Sequence, residues 1–262
     1  MKKNNKLKDL TFCIPARIDS HFRFRNLMAI LQFYSKSTDA KFIVLEADRE
    51  QKLTALPPIK NLTYQFELDN NPIFHRTHYI NLMLSQVETR FAAIWDTDAV
   101  APIKQVVDAC NQLELEQNVM VYPYDGLFLS VNEFLSGLFC KKYNMKCLTN
   151  TLFPRIPLCR YTSVGGAFVV DVEKYRYCGW ENEHFIGWGP EDAERYHRLE
   201  ILGFKPGRVY GVLYHLYHTR GINSGLSDIN LMISTKSEFL HVCSMEPIEL
   251  KEYIETWKWI RR

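Results

Sequence analysis

Two aspartates one residue apart, Asp96-Thr97-Asp98, follow the apolar run Phe91-Ala92-Ala93-Ile94-Trp95 in this chain of 262 residues. Two carboxylates at the end of a strand offer oxygen ligands to a hard divalent cation such as magnesium, manganese or calcium. The plainer reading is a turn, where aspartate is common. A second group is Gly187-Trp188-Gly189-Pro190-Glu191-Asp192-Ala193-Glu194. Acids in a first helical turn complement the helix dipole, which is a structural reason for them. The same dipole favours an ionised Asp192, the form a general base needs to act on a hydroxyl. Trp188 between two glycines offers either a stacking face beside a hinge or a filler for the core. The third group is His215-Leu216-Tyr217-His218-Thr219-Arg220. Two histidines three apart share a face on a helix but not on a flat strand. At a strand-to-loop junction they can converge on one metal, the alternative being packing and surface roles.

The elements around these groups follow an alternating pattern. Leu10 to Ile14 reads as a buried strand closed by Pro15, and Phe24 to Tyr34 carries apolar residues at helical spacing. Strands are expected at 41–45, 63–68 and 91–95, with a helix over 76–88. Strands alternating with helices predict βαβ units and a mainly parallel sheet, whose ligands bind beyond the carboxyl ends of the strands. Three such ends carry charge: Arg17 with Asp19, Glu46 with Asp48, and Asp96 with Asp98. Further along, 102–112 reads as a helix and 118–122 as a strand. A Gly-led strand is expected over 164–170, a helix over 190–202 closed by Gly203, a strand over 209–217 and an amphipathic helix over 249–259. The stretch 125–160 has no clear periodicity. With no repeat, no low-complexity run and no linker, the expectation is a single α/β domain spanning 1–262.

Composition removes several classes. The chain is 47% apolar and 13% aromatic, which supplies too much burial for disorder. A formal charge of +2 argues against a nucleic-acid partner, which calls for a basic face. No apolar run reaches the roughly 20 residues of a membrane span. The lysines near the start precede no apolar signal region, so a cytoplasmic location is expected. Lys141, Lys142 and Lys146 read as a solvated face that is also compatible with peripheral contact at the inner face of the membrane. The seven cysteines are odd in number and form no C-x-x-C pair, so they are expected to be reduced and buried. Asn61-Leu62-Thr63 matches a glycosylation acceptor but has no meaning without a secretory route.

Taken in order, Asp96-x-Asp98, Gly165-Gly166, Trp188-Gly189-Pro190-Glu191-Asp192 and His215-x-x-His218 resemble the β-1,4-galactosyltransferase group and its bacterial relatives, inverting glycosyltransferases of the GT-A fold. The resemblance runs from about Phe12 to Arg220, poorly over 125–160. The Gly-Trp-Gly-x-Glu-Asp block is its most specific part. It implies a Rossmann-like, mainly parallel sheet, with about 1–100 as the nucleotide-binding half and about 101–262 as the acceptor-binding half. It implies that Asp192 is the catalytic base and that Glu191, with Trp188 and Gly189, holds the acceptor sugar. Asp98 would ligate the metal with His218, and with His215 where vertebrate members carry methionine. The donor would lie among Pro15, Arg17, Asp19, Glu46, Asp48, Arg76, Asp96 and Gly166. Pro15-Ala16-Arg17 resembles the family's Pro-Phe-Arg, and Phe74-His75-Arg76 its Phe-Asn-Arg. Imidazole in place of thioether makes the metal site harder, so magnesium is expected to serve as well as manganese. Two departures stand out: Pro190 replaces a glycine, and Ser163 stands where the vertebrate type carries a tyrosine. The smaller Ser163 is expected to admit an N-acetyl group.

These readings together give a metal-dependent (Mn2+ or Mg2+) transferase. It would move a hexose or N-acetylhexosamine from UDP-galactose, UDP-GalNAc or UDP-GlcNAc to a glycan or lipid-linked acceptor in surface polysaccharide biosynthesis. One alternative is a catalytically degenerate scaffold that binds glycan or protein, although such a scaffold has no need for the whole set of acids and histidine. A nucleotidyltransferase is the other, but it calls for a glycine-rich phosphate loop, and Pro15 to Ser20 has no glycine.

Overall fold

Predominantly apolar segments of five to eight residues form the strands at the centre of the molecule. β1 (Leu10–Ala16), β2 (Lys41–Asp48) and β4 (Phe91–Trp95) are buried at every position except Lys41. That pattern belongs to strands covered on both faces, as parallel βαβ sheets require. The computed structural model describes residues 7–115, 118–149, 156–159, 161–221, 223, 225 and 228–261. β3 (Leu62–Leu68) lies at one edge beside β2, and β1 is parallel to both β2 and β4. β6 (Met120–Tyr122), β9 (Ala167–Asp171) and the two-residue β10 (Gly207–Arg208) complete a seven-stranded sheet in the order β10-β6-β9-β4-β1-β2-β3. Only β9 runs against its neighbours, inserted between β4 and β6. The expected mainly parallel α/β sheet is therefore present.

The helices pack against this sheet. α1 (His21–Ser37) begins at Ser20, whose hydroxyl accepts from the Arg23 backbone N–H, so the helix starts just beyond the carboxyl end of β1. α2 (Arg76–Leu84) and α3 (Ile103–Leu115) follow the expected spans, the first four residues shorter. α6 (Val172–Tyr177) follows β9 directly, with Asp171 as its cap. α7 (Glu191–Ile201) is the expected Pro-led helix, with Pro190 itself at the N-cap position. α8 (Ile229–Cys243) had no signal strong enough to be expected. α9 (Pro247–Glu255) and the 3-10 turn Lys258–Arg261 bring Trp257 and Trp259 into a small second core with Leu250 and Ile254. The six cysteines whose side chains are described are free thiols, four of them buried.

A second, four-stranded sheet begins with β5 (Ala99–Val100), directly after β4 in the chain. It contains β5, β11 (Leu213–His215), β7 (Phe128–Ser130) and β8 (Ile156–Cys159), in that order. The unassigned stretch 125–160 thus contributes β7, α4 (Glu133–Lys142), α5 (Lys146–Thr149) and β8, with 150–155 and 160 outside the described residues. The strand expected over 209–217 is only Leu213–His215. Its pairing is consequential, because His215 lies opposite Ala99 and the Leu216 N–H donates to the Asp98 carbonyl at 2.8 Å.

Aromatic rings lock β1 to its neighbours. The ring of Phe12, fully buried, lies 4.8 Å from Tyr34, 5.2 Å from Phe42 and 5.3 Å from Trp95. Truncating such a ring leaves a cavity that rigid strands cannot close. Phe12→Ala is expected to lower stability by about 3–5 kcal/mol, read as a lower urea midpoint at unchanged slope.

Candidate active site

The carboxyl ends of β1 and β4, the start of α7 and the loop after β11 converge on one open cleft. Among the residues lining it are Arg17, Arg23, Arg76, Asp96, Asp98, Glu191, Asp192, His215 and His218, with Pro15, Asp19, Thr97 and Trp188 at its walls. The turn carrying the two aspartates is held by backbone. The Asp96 N–H donates to the Gly166 carbonyl at 3.0 Å, and the Ala99 N–H to the Asp96 carbonyl at 3.3 Å. The Trp95 indole N–H reaches the Ala99 carbonyl at 2.7 Å.

Asp98 is the innermost acid, its side chain 4% exposed. Arg23 Nη1 donates to its Oδ2 at 3.1 Å, His218 Nε2 lies 3.3 Å from Oδ2, and His215 Nε2 lies 3.7 Å from Oδ1. Burial alone would raise the carboxyl, but the charges of His215, Arg23 and His218 outweigh it and hold it below the usual aspartate range. One ligand atom each from Asp98, His215 and His218 falls within 4.8 Å of the others. Burial depresses the His218 imidazole, while Asp98 opposes that shift, and neutral imidazole is the form that binds metal. His218 Nδ1 lies 2.7 Å from the Thr219 carbonyl. With the proton on Nδ1 for that bond, the Nε2 lone pair faces Asp98. One carboxylate and two imidazoles in this arrangement fit a divalent cation of the manganese, magnesium or zinc type.

The catalytic-base candidate sits across the cleft. Asp192 Oδ1 accepts from Arg195 Nη1 at 2.9 Å, and the side chain remains 31% exposed. Arg195 is fully buried and makes two bonds to Glu181, Nε at 2.8 Å and Nη2 at 2.7 Å; Glu181 also accepts from the Tyr175 hydroxyl. Gly165 faces the free oxygen of Asp192 so closely that a Cβ there would overlap Oδ2. Gly187 has a φ of +75°, and a Cβ on it would lie 2.6 Å from Ile73 Cγ2, so no other residue fits that approach to the Trp188 loop.

The remaining expected residues divide into two sets. Arg76 lines the cleft, with Nη2 on Asp96 Oδ1 at 2.7 Å and a buried Nη1 that has no partner among the described residues. Arg17 also lines it, but its donors go to the Ala47, Asn71 and Pro72 carbonyls and to Asp69, so it pins the 69–72 loop to β2. Asp19 is paired with Arg23 at 3.1 Å. Glu46 and Asp48 do not line the cleft. β2 continues through both, and Glu46 accepts from the Lys52 and Leu53 N–H groups and the Tyr64 hydroxyl, while Asp48 pairs with Lys52. Gly166 also stays behind the cleft wall, holding Asp96 through its carbonyl. Gly189 donates its N–H to Glu191 Oε2 at 3.1 Å. Ser163 is buried with the Tyr124 hydroxyl 3.0 Å from its Oγ, so a tyrosine arrives there from another segment.

Arg23, Arg195, Glu181 and Asn223 belong to the site or its support without having been expected from the sequence. Arg23 had a usable signal, since it follows the N-cap of the helix after β1, where parallel sheets bind ligands. Arg195 had a local one, since it lies three residues after Asp192 on the expected helix, whereas only folding brings Glu181 and Asn223 near the motifs.

A sequence model of the N-terminal domain of galactosyltransferase matches residues 147–220, the segment with both glycines, the Trp-Gly-Pro-Glu-Asp block and the two histidines. Glucosyl-3-phosphoglycerate synthase from Mycobacterium tuberculosis, solved with Mn2+, UDP and phosphoglyceric acid, superimposes with a TM-score of 0.54 at 14% identity, over 90% of this chain and 78% of that one. GalNAc-T7, solved with UDP, GalNAc and Mn2+, superimposes with a TM-score of 0.55 at 11% identity, over 94% of this chain and 50% of that one. Residues 147–220 are galactosyltransferase-like in sequence, and the chain has the GT-A fold. No curated protein matches it at a significant level. At such identities the structural likeness establishes architecture, so the GT-A cleft has to be interpreted through its own side chains.

Glu191 gives that cleft a pH signature. Burial pushes its carboxyl from the ordinary 4.5 to about 8, and neighbouring Asp192 adds to the shift while Arg76 and Arg195 oppose it. A raised acid pKa means that the folded state holds the proton more tightly, so stability falls as pH rises between about 4.5 and 8. Glu191→Gln is expected to remove that slope, which amounts to a few kcal/mol in the wild type, as measured by urea midpoints at pH 5, 6, 7 and 8.

Proposed function

We propose that the protein is a metal-dependent inverting glycosyltransferase that moves a hexose or N-acetylhexosamine from a UDP-sugar to a glycan or lipid-linked acceptor. One observation carries this reading: buried Asp98, clustered with half-buried His215 and His218, and an accessible Asp192 line a single cleft. The nucleotide-binding half is about 1–100 and the acceptor-binding half about 101–262. A surface polysaccharide and a cytoplasmic location complete the proposal. Among the described residues no helix is long and apolar enough to cross a membrane.

Asp98, His215 and His218 would hold Mn2+ or Mg2+, which when bound neutralises charge on the departing diphosphate. Arg76 presents its unpartnered Nη1 to a donor oxygen, a charge-assisted bond that also relieves a buried orphan donor. Trp188, more than half exposed at the cleft wall, offers a flat face for the acceptor sugar. Asp192 Oδ2 accepts the proton of an acceptor hydroxyl, whose oxygen forms the new bond to the anomeric carbon. The bond from that carbon to the diphosphate oxygen breaks on the opposite face, so UDP leaves and the configuration inverts. Arg195 fixes Oδ1 and thereby aims Oδ2.

Two substitutions test the assignment. Asp98→Ala is expected to abolish the thermal shift that UDP gives in the presence of Mn2+, a stabilisation of about 2.7 kcal/mol at 100 times the Kd. An undiminished shift in that variant places the metal elsewhere. Asp192→Asn is expected to lower transfer by roughly 100-fold or more, as the loss of a positioned base does, while UDP still binds in calorimetry. Turnover retained in Asp192→Asn removes it as the base.

A further inference from the structure

An apolar groove lies on the far side of Trp188 from the reaction cleft. Its volume is about 400 Å3. One wall is the loop that enters α7, from Trp188 through Pro190, and the other is α8, through Met232, Phe239 and Leu240. Lys236 is the single charged residue along it. The groove does not end at its own walls. Ile229, Ile233, Lys236 and Leu240 recur at spacings of four, three and four, the repeat that puts residues on one stripe of a helix. All three apolar members are more than half exposed. From Ile229 to Leu240 the stripe extends about 16 Å along the helix.

We propose that this groove and stripe bind the apolar tail of a lipid-linked acceptor sugar, a proposal that rests on reading the cleft as the acceptor site. The argument is one of continuity. Trp188 lines both the reaction cleft and the groove, so a sugar stacked on one side of the indole can pass its aglycone round the edge to the other. A compact group would need a closed pocket, whereas a narrow stripe of this length suits an extended hydrocarbon chain. Lys236 lies beside the path of the tail, where its ammonium can meet a phosphate linking lipid to sugar. Exposed apolar stripes are uncommon on soluble surfaces unless something covers them.

Trp188 also supplies a reporter. Of the five tryptophans, Trp95, Trp180, Trp257 and Trp259 are buried and Trp188 is exposed. The probe is a series of n-alkyl β-galactosides of six to ten carbons with a bromine on the terminal carbon, each kept below its micellar concentration. Fluorescence quenching is expected to saturate, with the Kd falling about two- to fourfold per added methylene, the upper value being the conversion of about 0.8 kcal/mol per buried CH2. Leu240→Glu and Met232→Glu are expected to abolish the chain-length dependence while leaving the UDP and Mn2+ thermal shift unchanged. An intact UDP and Mn2+ shift together with quenching independent of chain length overturns the groove assignment alone. Loss of the UDP and Mn2+ shift in the wild type overturns the cleft reading instead. Two further results overturn the groove proposal in favour of another occupant. One is quenching by brominated phosphatidylcholine vesicles with none by the galactosides, which marks a membrane contact. The other is a concentration-dependent dimer, seen by sedimentation, that Leu240→Glu dissociates.

Discussion

A carboxylate that is almost wholly removed from water needs compensating partners, and Asp98 finds them on three separate parts of the chain. Arg23 comes from the helix after the first strand, His215 from the last residue of β11, and His218 from the loop beyond it. Without those partners a buried anion would cost several kcal/mol and would take up a proton instead. The requirement also joins the two sheets. β4 delivers the aspartate pair at the end of the large sheet, and β5, only two residues long, pairs with β11 to bring the histidines to it. The pairing that brings the histidines to Asp98 therefore also closes the seam between the sheets.

The opposite wall uses the same physics differently. α7 begins with three acids, and each has a different fate. Glu194 turns inward to Arg198, whose remaining donors reach the Cys178 and Trp180 carbonyls, so this pair ties the helix to the segment after α6. Glu191 is buried without a formal cation in contact, and its carboxyl therefore holds its proton up to about pH 8. Asp192 stays accessible with one oxygen fixed by Arg195 and the other free toward Gly165. Three neighbouring acids thus differ as a buried anchor, a buried proton holder and an accessible carboxylate, and environment alone distinguishes them. The planar Arg195 fork, with two bonds to Glu181 and one to Asp192, is rigid in a way that lysine could not reproduce.

A GT-A architecture explains why these parts are arranged as they are. Parallel strands expose their carboxyl ends on one edge of the sheet, and the loops there are free to vary without disturbing the core. Pro15, Arg17, Asp96 and Asp98 all lie on that edge. Glu46 and Asp48 have the right position in the sequence for it, yet β2 runs on through them and the following loop takes up their oxygens. The distinction is one of strand length, which a charged residue after an apolar run does not reveal.

The sequence by itself determined the βαβ alternation, because strands covered on both faces must be apolar throughout and helices must repeat at 3.6 residues. It also marked the aspartate pair, the Trp188–Asp192 block and the two histidines, since each is a local cluster of unusual residue types. It left β7 and β8 within 125–160 unassigned, because short strands in a small sheet carry no periodicity of their own, and it left α8 unassigned because its exposed apolar stripe masks the amphipathic pattern. Only the tertiary structure decided that His215 and His218 meet Asp98, that Arg23 and Arg195 pair with Asp98 and Asp192, that Tyr124 rather than residue 163 supplies a ring beside Gly165, and that Glu46 is a loop anchor. Arg195 lies only three residues from Asp192 and Lys52 only six from Glu46, but the others depend on contacts between residues far apart in the chain, 75 positions for Arg23 with Asp98 and 39 for Tyr124 with Ser163. Such contacts are set by strand order and pairing, which no local pattern of residues contains.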